Sequence, residues 1–113
     1  MATKTKQQLV ERALQILNVL GAGQSPSAED AQTVGDMVSP MFDFLNASGL
    51  IAVAHEDLIE ASVFEPLARL LSAEAAPTFG GQKDPGDMED ARMQIRLVVN
   101  GRPTYQVART DYF

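Results

Sequence analysis

Residues 60–80, EASVFEPLARLLSAEAAPTFG, carry the most apolar helical pattern in the chain and decide its class. Phe64, Leu67, Ala68, Leu71 and Ala75 recur at the spacing of one helix face between Glu60 and Ala76. Pro66 fits that helix only if it lies in the first turn, and Pro77 with Gly80 supplies the stop. A helix this apolar must be covered by other amphipathic elements, so the neighbouring segments are read for that partner face.

Upstream, Leu9, Ala13, Ile16, Leu17 and Leu20 fall on one face of a helix expected over Lys6–Leu20, with Val10 and Leu14 widening the stripe. Thr5 and Gln8 have capping-box spacing, and Gly21 is the expected left-handed stop. A second helix is expected from Ser25 as cap and Pro26 as first helical residue to about Ser48 and Gly49, with Glu29 and Asp30 near its positive end. Its buried set is Ala31, Val34, Val38, Met41, Phe42 and Leu45. Pro40 interrupts it and predicts a bend between Gly35 and Pro40, or two short helices. LIAVA, residues 50–54, reads as a small strand or a buried connection.

Downstream, residues 80–87 read as a mobile, turn-rich linker. A fourth helix is expected from Asp87 to Val98, burying Met88, Ala91, Ile95 and Val98, and Asn100-Gly101 before Pro103 ends it. The stretch GRPTYQVARTDYF has no helical period and reads as an extended arm whose aromatic residues fold back onto the bundle or insert into another molecule. The expected architecture is therefore all-α: a bundle of about four helices over residues 1–99, followed by an extended C-terminal arm over residues 100–113.

The chain has 113 residues, which fits one domain, and no cysteine, which removes disulfides, thiolate nucleophiles and thiolate metal sites. No apolar run reaches the roughly 20 residues of a membrane span, and residues 1–14 lack a signal-peptide stretch; a soluble chain made in a cytoplasm is expected. The net charge of −6 is uneven: residues 1–91 balance at −9 and residues 92–113 at +3. That acidity argues against a free-standing nucleic-acid binder. A helix-turn-helix reading would use the second helix for recognition, yet it holds Glu29, Asp30, Asp36 and Asp43 and no Lys or Arg.

No catalytic constellation stands out. His55-Glu56-Asp57 joins the single histidine to two carboxylates, but adjacent positions do not share a helix face, and the segment reads as a polar turn. Gly21, Gly23, Ser25 and Ser27 lack the lysine and second glycine of a phosphate loop, and GGQK at 80–83 fails the same test. The pairs Glu29/Asp30, Glu56/Asp57 and Glu89/Asp90 read as helix-start acids and solvated faces. Met37, Met41, Met88 and Met93 read as core or interface filler. The expectation is a protein that is not an enzyme and needs no cofactor or metal. Arg92 and Arg96 flank the stripe of the fourth helix, where they pair locally with Glu89 or reach outward to a partner; Arg109 has no local helical partner.

The order of LVERALQILNVLGAGQSPSAED (9–30), FLNASGL (44–50), VFEPLARLLSAEAAPTFG (63–80) and the terminal RTDYF (109–113) resembles tailed-phage head-to-tail connector (adaptor) proteins over nearly the whole chain. The resemblance implies a small helical subunit of a virion. Typically twelve copies form a homo-oligomeric ring beneath the portal protein ring after genome packaging, extending the DNA channel toward downstream tail or nozzle proteins. It implies residence at the head-tail junction, with the host cytoplasm as the place of assembly and no membrane involved. DNA would pass without specific binding, repelled by an acidic lumen.

The arm, in this resemblance, reaches along or into the portal ring. Tyr105, Val107, Tyr112 and Phe113 would be apolar anchors, Arg102, Arg109 and Asp111 would supply polar contacts, and Arg92 and Arg96 would contribute from the fourth helix. An extended arm can add to a partner's sheet, with Pro103 at its start. The alternatives are another neck component, such as a head-closure or tail-completion subunit, and a cytoplasmic helical regulator or helix-turn-helix DNA binder.

Overall fold

A computed structural model describes residues 3–19, 26–50 and 55–100. Among them are five α-helices, one 3-10 turn and a two-residue antiparallel pairing of β1 (Thr3–Lys4) with β2 (Ile59–Glu60). The helices are α1 (Lys6–Ile16), α2 (Ala28–Gly35), α3 (Val38–Ala47), α4 (Ala61–Ala75) and α5 (Pro85–Asn100). The fold is the small all-α bundle that the periodicity predicts.

Helix α1 begins on the predicted capping box: Gln8 N donates to Thr5 Oγ1 at 3.2 Å, and Thr5 N donates to Gln8 Oε1 at 2.9 Å. Its end departs from expectation. The helix stops at Ile16 rather than Leu20, and Asn18 takes the left-handed conformation at φ 63°. Asn18 N donates to Gln15 O and Val19 N to Leu14 O, both at 3.0 Å, so two terminal carbonyls are satisfied before Gly21 is reached. Asparagine tolerates this backbone better than most residues because its short polar side chain bonds locally. Gly21 itself lies outside the described residues.

The second predicted helix is two short ones. Ser27, not Ser25, caps α2 by accepting from Asp30 N at 3.1 Å, and Pro26 stands before the cap instead of inside the helix. Helix α3 restarts at Val38, which puts Pro40 in a first turn where its missing N–H has no intrahelical partner to lose. Gly49 at φ 74° closes α3, with Leu50 N donating to Leu45 O at 2.9 Å and both leucines buried. Residues 51–54 of the LIAVA stretch lie outside the described residues.

Helix α4 is central and packs against both α1 and α5. Pro66 is its sixth residue, past the first turn that the sequence reading required. The lost bond would have gone to the carbonyl of Ser62, an exposed residue, while the proline ring is buried. Solvent at the freed acceptor and apolar burial of the ring together offset the interruption. Val63 and Leu70 join Leu67, Ala68, Leu71 and Ala75 in the core, whereas Phe64 is half-buried beneath Lys4, whose ammonium sits 5.5 Å from the ring centroid. A 3-10 turn over Ala76–Phe79 and Gly80 at φ 88° end the segment at the predicted place.

Helix α5 starts two residues before Asp87 and so takes the end of the predicted linker into regular structure, leaving 81–84 as the connection. Asp84 is the reason: its Oδ1 accepts from Gly86 N at 3.0 Å and Asp87 N at 3.2 Å, and Pro85 occupies the first helical position. The helix buries Met88, Ala91 and Ile95, half-buries Val98, and continues to Asn100.

Candidate functional site

Four polar clusters tie the described elements together, and those around Lys6 and Arg92 border cavities. In the first, His55-Glu56-Asp57 forms the predicted polar turn, with Asp57 N donating to His55 Nδ1 at 3.1 Å. Its carboxylates serve the start of α1: Asp57 Oδ1 accepts from Lys6 N at 3.1 Å, and Glu56 lies 3.3 Å from Lys6 Nζ. A free N–H at a helix start and the positive end of the dipole both favour an anion there. Among the described residues no three of His, Cys, Asp and Glu gather as metal ligands.

In the second, the Arg12 guanidinium meets Glu65 through two hydrogen bonds, Nε to Oε1 at 2.7 Å and Nη2 to Oε2 at 3.2 Å, joining α1 to α4. In a further strap from α4 to α5, Arg69 donates to Asp90 at 2.9 Å, Asp87 at 3.1 Å and Gln94 at 2.8 Å. Hydrogen bonds to Asp90 and Asp87 hold the Arg69 guanidinium above its ordinary value, and the bonds to Glu65 do the same for Arg12. Because both values are raised on folding, the stabilisation is fully present below the ordinary arginine pKa and is lost as the pH climbs through the raised values.

The fourth cluster stands at the groove between α3 and α5. Glu89 bridges the two sequence-predicted arginines, 3.5 Å from Arg92 Nη1 and 4.0 Å from Arg96 Nη1. The local pairing is thus present for both, and Arg96 remains exposed beyond it. Arg92 Nε is buried with no hydrogen-bond partner among the described residues. Arg92 and Phe44, whose ring is 60 % exposed, separate two adjoining cavities of about 430 and 410 Å³. One lies at the C-terminal ends of α3 and α5, against Gly49, Leu50, Arg96 and Val99. The other has an apolar floor of Met37, Met41, Leu45 and Leu70, with Asp36 and Glu74 at its rim.

The outer side of α5 carries a feature that the sequence reading missed. Met93 is 49 % exposed and Leu97 67 % exposed, and their i,i+4 spacing with Arg96 between them puts all three on one face. The signal was present as a second apolar stripe, offset from the core stripe of Met88, Ala91 and Ile95. Met93 is thus surface, while Met41 and Met88 are core and Met37 is half-buried.

Of the predicted partner-binding residues, Arg92 and Arg96 are one turn apart on α5. Arg102, Tyr105, Val107, Arg109, Asp111, Tyr112 and Phe113 lie outside the described residues. No helix among the described residues is long and apolar enough to cross a membrane. In comparison with known proteins, the chain matches no family model, no curated protein and no solved structure.

Proposed function

We propose that this chain is a structural virion protein, a head-to-tail adaptor that docks as a ring of identical subunits under a phage portal after DNA packaging and extends the DNA channel toward the tail. The observation that carries the reading is the α5 surface: Met93 and Leu97 stand in solvent beside Arg96 on the helix that leads straight into residues 101–113. Paired apolar exposure on one helix face, with a cation beside it, suits a protein interface. The sequence resemblance names the partner, and the all-helical bundle is compatible with the small helical subunit it implies.

Recognition in this reading is shared between α5 and the arm. Burial of Tyr105, Val107, Tyr112 and Phe113 supplies most of the affinity, and Arg96, Arg102 and Arg109 fix register against acidic portal surface, with Asp111 meeting a cation. Ring closure needs head-to-tail contact between subunits. The acidic stretch from α2 through α3, which holds the four carboxylates Glu29, Asp30, Asp36 and Asp43 and no Lys or Arg, suits a channel element that DNA passes without sticking.

Native mass measurement of a portal ring mixed with the full chain, beside a variant truncated after Asn100, tests the proposal. One copy bound per portal subunit, lost on truncation, is the expected result. Absence of binding by either form overturns portal docking and favours another neck component or a cellular regulator.

A further inference from the structure

The groove between α3 and α5 begins where the chain leaves α5: Arg96 and Val99, in the last turn and a half of that helix, line its first cavity. From Leu50 at that end to Asp36 at the other, the α3 side spans roughly 20 Å at the rise of a helix. About six extended residues cover that length. Thirteen residues follow Asn100 in the sequence, starting with Gly101-Arg102-Pro103, a composition suited to reversing the chain.

We propose that residues 104–113 of this chain return along the α3–α5 groove of the same molecule. In extended backbone Tyr105, Val107, Arg109, Asp111 and Phe113 share one face. Tyr105 and Val107 then cover Leu50, Val99 and the exposed ring of Phe44, and the next two residues bring Arg109 over Met41 before the groove ends at Asp36. Arg109 meets the rim carboxylates Asp36 and Glu74. Among the described residues Glu74 meets a cation no nearer than Lys83 Nζ at 3.8 Å, and the Asp36 side chain accepts from the amide of Gln32. A backbone carbonyl of the passing arm supplies the acceptor that Arg92 Nε lacks among the described residues.

The docked arm would keep Tyr105 and Val107 out of water until a partner displaces them; that guarding role rests on the portal-docking reading, whereas the contact stands on the groove and the arm sequence. Tethering favours docking within one molecule, because the three-residue connection 101–103 holds the segment at an effective concentration in the millimolar range.

The cysteine-free chain permits a clean trap in the absence of portal. The pair Phe44→Cys with Val107→Cys is compared with Leu58→Cys with Val107→Cys, since Leu58 is equally exposed and does not line the groove. Intramolecular disulfide should form about tenfold faster in the groove pair. Asp36→Lys with Glu74→Lys should remove most of that advantage, and adding Arg109→Glu should restore it, with circular dichroism confirming helix content throughout. Equal rates for the two pairs, or disulfides formed only between molecules, overturn the proposal. Either result leaves portal binding to be decided by its own measurement.

Discussion

Replacing Arg69 with methionine should loosen α5 from α4 without emptying the core. Methionine keeps the length of the alkyl stem and a similar helix propensity, so the difference reports the guanidinium. Arg69 is only 27 % exposed and makes three bonds, to Asp87, Asp90 and Gln94, but both carboxylates are more than half exposed. Exposed ion pairs contribute about 0.2–1 kcal/mol each, and the amide bond adds a comparable amount, so the loss should be about 1–2 kcal/mol. In a domain of this size that lowers the midpoint of thermal unfolding by about 4–8 °C. The thin apolar stripe of α5, three fully or nearly buried side chains, makes this strap a large share of its attachment. Urea unfolding with and without 0.5 M salt gives the free energy and its screened part, while amide hydrogen exchange locates it. Exchange should quicken in α5 and stay unchanged in α1. A variant within about 0.3 kcal/mol of the parent, with the same salt dependence, would show that the strap does not hold α5.

Asn18 offers a test in which the sign is decisive. At φ 63° Asn18→Gly should raise stability by a few tenths of a kcal/mol, and Asn18→Val should lower it by about 1–2 kcal/mol. Were the helix to run on to Leu20, glycine would instead cost about 0.5–1 kcal/mol, so thermal melts of the two variants separate the possibilities. Leu71 is fully buried on the central helix, and Leu71→Ala should cost about 2–5 kcal/mol with an unchanged urea m-value.

Local signals fared well where they had only neighbouring residues to satisfy. The Thr5–Gln8 box, the break forced by Pro40 and the stop at Pro77 and Gly80 all act within one turn, and the chain obeys them. They failed by two to four residues where two candidates competed within a turn: Ser27 over Ser25, Asn18 over Gly21, and Asp84-Pro85 over Asp87. Pro66 was misplaced for another reason. Its cost depends on whether the freed carbonyl faces water and whether the ring is buried, which depends on packing.

Apolar periodicity and punctuation by themselves determined that this chain is a helical bundle, with the second helix bent or divided near Pro40, because hydrophobic period and caps are properties of a few adjacent residues. Only the tertiary structure decided that Asp57 completes the start of α1 from 51 residues away, that Arg12 finds Glu65 and Arg69 finds Asp87 and Asp90, and that Arg92 and Phe44 border one groove. Charged residues have the same composition whether they face water or one another. Their pairing is set by the angle and rotation at which helices pack, and those follow from burying the core.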